Sequence, residues 1–238
     1  MATADPLVAI IAAEARELAG LLAHATSVTA LQWPVRYALE AVIGDRRFLL
    51  LAHGAGATLA AHAARTAVER APVRALVSTG LCGALHPALN AGDLVIATET
   101  TLPAPSHSRF PAAAPIGPSP RMSGPIVCSP RVASTPAEKA ALHSSGAIAV
   151  EMEAAGVAET AASAHLPFFC IKVVSDTADE GLPLDFNQFR DADGRFQPGR
   201  IATAALLRPH RLPALIRLFR ASRQASNNLG DFLADCQF

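Results

Sequence analysis

Charge is scarce in this chain. Only 17% of its 238 residues are Asp, Glu, Lys or Arg, and 20 basic residues balance 20 acidic ones to a formal net charge of zero. A nucleic-acid footprint needs a basic surplus on some face, so the balance speaks against one. Aromatic residues make up only 5%, while alanine abounds, a compositional bias that makes isolated apolar stretches weak signals. No long apolar run is present: Leu7 to Ala13 is interrupted by Glu14, Arg16 and Glu17, far short of the roughly 20 residues of a membrane span. No basic region precedes a long apolar stretch at the N-terminus, so no secretory signal is expected and the cytoplasm is the default location. The four cysteines, Cys82, Cys128, Cys170 and Cys236, form no C-x-x-C pair. Neither a zinc ribbon nor a disulfide framework is therefore expected, and buried free thiols are. No metal site is anticipated.

What is present is apolar. Hydrophobic residues make up 51% of the chain, which excludes a disordered polypeptide and suffices for the core of one domain spanning residues 1–238. Short apolar runs read as strands at Leu7–Ile11, Arg47–Ala52, Ala75–Thr79, Asp93–Thr98, Ile126–Cys128, Ala147–Val150 and Phe168–Val174. Helical stretches lie between them, at Ala13–Ala23, Ala57–Glu69, Pro136–His143 and Ala154–His165, with a helical tail from Ile201 to the end. The alternation predicts an α/β layered domain with a largely parallel sheet. Several strands are apolar throughout, as strands covered on both faces must be. The proline-rich stretch 103–125 reads as an irregular flap.

In such sheets ligands bind beyond the carboxyl ends of the strands, so the residues just after each run carry most information. Glu14, Arg16 and Glu17 follow the first; Arg16 could fork onto a phosphate, or all three could be a solvated first helical turn. The glycines of His53-Gly54-Ala55-Gly56 and Gly80-Leu81-Cys82-Gly83 would let backbone N–H groups approach an anion or a sugar, or simply make tight turns. Val150-Glu151-Met152-Glu153 ends another strand: a carboxylate suits a ribose diol and a thioether suits the sugar's underside, while a Glu-rich helix start is the plainer reading. Ser175-Asp176 follows a buried strand, and Asp176 could be a proton donor or a helix cap.

Taken together, Val150–Gly156, Val174-Ser175-Asp176 and the two glycine loops resemble, in order and register, the family of purine and uridine nucleoside phosphorylases and methylthioadenosine/adenosylhomocysteine nucleosidases. The resemblance spans about residues 7–180. It implies a single-domain nucleoside phosphorylase-like fold with a central mixed, largely parallel sheet flanked by helices, and cleavage of a ribosidic bond with phosphate or water as acceptor. By that likeness Glu153 holds the ribose hydroxyls with Glu151 beside it, Met152 lies beneath the sugar, and Asp176 protonates the base. Arg16, Gly54, Gly56, Gly80 and Leu81 fall at the phosphate or water site, and Glu17 falls near the glutamate that orients water in nucleosidases. Val132 and Ala133 fall at the base or aglycone pocket. Leu81 replaces a family hydroxyl, and Val132 replaces a stacking aromatic.

Glu14-Ala15-Arg16, the stretch Ser134–Lys139 and the arginine-rich tail are similar to the hopanoid-associated phosphorylases, which implies an adenosyl compound such as adenosylhopane as substrate. The expectation is a phosphorylase with inorganic phosphate as co-substrate, no other cofactor, and a nucleoside as its small-molecule partner. A nucleosidase using water is the alternative, followed by a non-catalytic nucleoside binder. The likeness further implies a homo-oligomer, as dimer, trimer or hexamer. Finally, Leu212, Leu215, Ile216 and Phe219 recur at helical spacing among Arg217, Arg220 and Arg223, a basic amphipathic pattern that fits either packing or peripheral membrane contact.

Overall fold

The computed structural model describes residues 6–103, 105–106, 108–191 and 195–238. Eleven strands form one mixed sheet: β1 Leu7–Ala12, β2 Ala25–Ala30, β3 Tyr37–Ile43, β4 Arg46–Ala52, β5 Val73–Ser78, β6 Leu81–Ala84, β7 Leu94–Thr101, β8 Arg109–Pro111, β9 Met122–Cys128, β10 Ala149–Glu151 and β11 Phe168–Asp176. Their spatial order is β2-β3-β4-β1-β5-β11-β6-β10-β9-β7-β8, with β11 also pairing β7. The helices are α1 Ala19–Leu22, α2 Ala57–Arg70, α3 Pro136–His143, α4 Ala154–Ser163, α5 Pro198–Leu206 and α6 Leu212–Asp235.

The period-two geometry of a strand explains the layering. Every residue of β1 is buried. Leu7, Ala9 and Ile11 pack toward α2 and α4, while Val8, Ile10 and Ala12 pack toward α1 and α6. A strand covered on both faces has no polar face to show, hence LVAIIA. The helices come close because small residues meet. A Cβ on Gly156 would lie 1.9 Å from the carbonyl oxygen of Ala57, and one on Gly230 would lie 2.1 Å from the carbonyl carbon of Gly20.

The structure differs from the sequence reading in four places. The edge strand β2 and its neighbour β3 are absent from the predicted set. β2 is mostly exposed, and β3 carries alanines at positions where strands usually carry branched residues, so neither shows the expected apolar alternation. Leu81–Ala84 is a strand rather than a loop, running parallel to β11 and antiparallel to β10. The proline-rich stretch is also not irregular throughout. Pro111 sits in the edge strand β8, and Pro125 faces a register shift between Ala97 and Glu99 of β7. Sheet edges and bulges are where a residue without an N–H is tolerated. The first helical stretch is a 3-10 turn, Ala15–Leu18, followed by the short α1.

Candidate active site

Strands β1, β4, β5 and β11 run parallel, so their C-terminal ends share one edge of the sheet. Glu17 follows β1, Gly54 and Gly56 follow β4, Gly80 follows β5, and Asp176 closes β11. Beside them β10 meets β6 antiparallel, with Val150 opposite Gly83. The reversal of chain direction brings Glu151, Met152 and Glu153 to the same place.

A cavity of about 610 Å³ opens there. Arg16, Glu17, Leu81, Val132 and Ala133 line it together with Glu151, Met152, Glu153 and Asp176. Its outer part is apolar, built by Phe186, Phe196, Ile201, Leu215, Ile216 and Phe219. A second cavity of about 360 Å³ shares Ala55 and Met152 with the first.

Four carboxylates, Glu17, Glu151, Glu153 and Asp176, are buried in this pocket, and each has donors. Glu151 caps α4, accepting from the backbone N–H groups of Glu153 and Ala154 at 2.9 Å. Its Oε2 also lies 2.8 Å from Lys172 Nζ, and both side chains are fully inaccessible. Glu151 thus serves the helix start and the ion pair. Glu153 accepts on Oε1 from the Gly56 N–H at 2.9 Å and on Oε2 from the Met152 N–H at 3.3 Å, with Lys172 Nζ 3.7 Å from Oε2. A carboxylate has about four acceptor positions, so each oxygen keeps one for a further hydroxyl. Burial raises the pKa of Glu153 above the ordinary carboxylate range; Lys172 pulls it back and Glu151 adds to the rise. Burial opposes the charge on Lys172, but Glu151 and then Glu153 outweigh it and lift that pKa well above its usual value. Lys172 also donates to the carbonyl of Thr79 at 2.9 Å.

Glu17 is 7% exposed and accepts from the Ala13 N–H at 3.2 Å. Burial first, and the nearby charge of Glu153 second, raise its pKa from 4.5 to about 7. Gly80, at φ +117°, makes room for it: a Cβ there would lie 2.4 Å from Glu17 Oε2. The two glycine loops therefore serve carboxylates. Gly56 donates its N–H to Glu153, Gly80 stands under Glu17, and Gly54 abuts Leu59. Arg16 is exposed at the rim, and Leu81 presents an apolar side chain.

Asp176 is 7% exposed. Its Oδ2 accepts from Lys139 Nζ at 2.5 Å, and its Oδ1 accepts from the Ser175 hydroxyl. Lys139 is completely buried on α3 and also donates to the carbonyls of Thr177 and Glu180. Thr135 and Glu138 form a capping box that starts α3 and sets Lys139 in place. Gly83 leaves space for the acid, since a Cβ there would lie 3.2 Å from Asp176 Oδ2. The Asn187 carboxamide bonds both backbone groups of Val132, at 2.8 and 3.0 Å, and so fixes the loop carrying Val132 and Ala133.

The two buried lysines were not singled out from sequence. Lys172 carried a signal, a lone cation within the apolar run Phe168–Val174, where an unpaired charge is prohibitively costly. Lys139 follows a polar helix start and gave none. The four cysteines are free and buried, and burial pushes the Cys170 thiol up to about 12. Among the described residues no cluster of His, Cys, Asp and Glu is arranged to hold a metal ion.

The profile of the Phosphorylase superfamily matches residues 7–127 and 120–207, reaching beyond Glu180 into α5. The chain belongs to the phosphorylase superfamily. It is 26% identical over 210 residues to a 5'-methylthioadenosine/S-adenosylhomocysteine nucleosidase of Glaesserella parasuis serovar 5, covering 76% of this chain and 90% of the relative. A nucleosidase of the same name from Bacillus cytotoxicus is 29% identical over 170 residues, covering 60% and 74%. The Neisseria meningitidis nucleosidase, solved with methylthio-immucillin-A, superposes with a TM-score of 0.73 at 24% identity over 96% of both chains. The fold of this superfamily member is therefore that mixed α/β architecture, and purine nucleoside cleavage is the chemistry of its relatives.

Proposed function

We propose that this superfamily member is a nucleosidase, hydrolysing the bond between ribose and a purine with water as acceptor. The observation that carries the reading is Glu17. Its buried carboxyl occupies the space over Gly80, where a phosphorylase would admit phosphate, and its pKa near 7 suits a base working at neutral pH. A second carboxylate, Glu153, stands close enough to raise that pKa further, an unfavourable neighbourhood for a phosphate dianion. Arg16, the expected phosphate ligand, is exposed where it lines the cavity, and its charge offsets only part of the rise at Glu17. The relatives' names agree with water, so phosphorolysis gives way to the hydrolytic alternative.

In this mechanism Glu153 accepts hydrogen bonds from the two ribose hydroxyls, and Met152 lies against the sugar. As the bond from C1′ to the base nitrogen breaks, its electron pair passes to the purine. Asp176 delivers a proton to the purine ring from the pair it forms with Lys139. Water adds to C1′ of the oxocarbenium-like centre, and its proton passes to Glu17. Lys172 neutralises part of the charge of Glu151 and Glu153, so the sugar is gripped without expelling the neighbouring carboxylate.

The test is product analysis with a purine nucleoside panel, with and without phosphate. Free ribose or its 5′-substituted form at the same rate in both buffers supports hydrolysis. Ribose 1-phosphate, formed only when phosphate is added, would return the case to phosphorolysis.

A further inference from the structure

The residues from Pro198 to Gly230 are unlike the rest of the chain: they hold six arginines and one histidine and no acidic residue, in a protein whose net charge is zero. Arg200, Arg208, Arg211, Arg217, Arg220 and Arg223 are all exposed. None of them forms an ion pair among the described residues. The same stretch carries most of the exposed large apolar side chains. Of seven among the described residues, five are Leu206, Leu207, Leu212, Ile216 and Phe219, with Leu206 and Leu207 77% and 78% exposed.

The two features share one face. Leu206 and Leu207 end α5, and Leu212, Ile216 and Phe219 run along the first two turns of α6. Leu212, Ile216 and Phe219 also line the large cavity, so they are its rim as well as part of the outer surface. The cavity therefore opens through an apolar lip, and one helical turn on from Ile216 and Phe219 the same helix carries Arg220 and Arg223.

We propose that this face docks on an anionic lipid bilayer, with the α5–α6 apolar lip in the interface and the cavity mouth turned toward the acyl chains. The charge pattern selects this occupant. A two-fold contact between copies through the same face would set arginines against arginines, whereas an anionic surface attracts all of them. An apolar ridge with flanking arginines is also how a helix lies in a membrane interface. No described helix is long and apolar enough to cross the bilayer, so the contact is peripheral. Docking this way would let a ribosyl compound bearing an apolar substituent pass from the bilayer along Phe219 and Ile216 to the carboxylates. That last consequence rests on the nucleosidase reading; the docking itself does not.

Sedimentation of the full chain with phosphatidylcholine vesicles, and with vesicles enriched in phosphatidylglycerol, tests the docking. Binding to the anionic vesicles alone, weakening as salt is raised, is the expected result. Changing Arg217, Arg220 and Arg223 together to Gln lowers the partition coefficient by about 100-fold. Leu206→Ser with Leu207→Ser lowers it too, with thermal stability and cleavage of a water-soluble nucleoside unchanged in both variants. The proposal is overturned if the chain stays in the supernatant with anionic vesicles at low salt. It is equally overturned if the arginine variant binds like the parent, or if the leucine change abolishes self-association in solution and leaves vesicle binding intact. None of these readings depends on which acceptor the site uses, so a failure here is separable from a failure of the hydrolysis assay.

Discussion

Changing Glu17 to Gln perturbs activity and stability in opposite directions. The folded-state pKa of Glu17 is raised from 4.5 to about 7. Below pH 4.5 the group is protonated in both folded and unfolded chains and costs nothing. As pH rises toward 7 the unfolded chain ionises freely while the folded chain resists, so stability falls across that window and levels off above it. The 2.5-unit rise corresponds to about 3 kcal/mol at pH 8. Gln keeps the volume and the acceptor for the Ala13 N–H but carries no charge. Lys172 stays compensated by Glu151 and Glu153, so no buried cation is orphaned. Glu17→Gln is therefore expected to be more stable than the parent by about 3 kcal/mol at pH 8, or roughly 6–12 °C in Tm for a chain of this size, with the difference vanishing near pH 4. Turnover should fall by about 100-fold or more, the usual effect of losing a general base. Thermal melts at pH 4 and pH 8, with adenine release at pH 8, decide the matter. A variant less stable than the parent at pH 8, or as active, refutes the reasoning.

The other expectations are shorter. Asp176→Asn leaves the buried Lys139 ammonium without its carboxylate, so it lowers stability by about 3–5 kcal/mol, and it lowers kcat on a purine nucleoside by about 100-fold or more, checked by urea unfolding and by initial rates where circular dichroism shows folded protein; near-parental kcat would remove Asp176 from the proton path. Lys172→Met leaves Glu151 and Glu153 facing each other in a dry site and costs about 3–5 kcal/mol in urea unfolding at pH 8, and less at low pH where the carboxylates protonate; equal losses at both pH values would mean that its charge does not matter. Gly156→Ala forces a Cβ against the Ala57 carbonyl and separates α2 from α4, lowering stability by about 1–3 kcal/mol or more; an unchanged urea midpoint would show that the helices can part freely.

Some of this molecule is dictated by local sequence. LVAIIA reads as a strand buried on both faces, because it is short, rich in branched residues and offers water no polar face. Pro136–His143 is a helix because Thr135 and Glu138 cap it and proline opens it, and the predicted boundaries coincide with the observed ones. The chemical groups at the strand ends were also legible, since Glu17, Glu153 and Asp176 stand where an α/β sheet exposes ligand-binding residues. What each group does depends on distances that no local pattern contains. Gly56 and Gly80 read as an anion cradle, yet the fold spends one on the N–H that steadies Glu153 and the other on making room for Glu17. Glu151 reads as a second sugar ligand, but tertiary packing delivers it to Lys172, twenty-one residues away along the chain. Lys139 reaches Asp176 only because the fold brings α3 within side-chain reach of the end of β11. Composition and periodicity follow from each residue's own preference for water or for its neighbours in the chain. Buried charge pairs form between segments distant in sequence, and only the folded core determines which carboxylate meets which lysine.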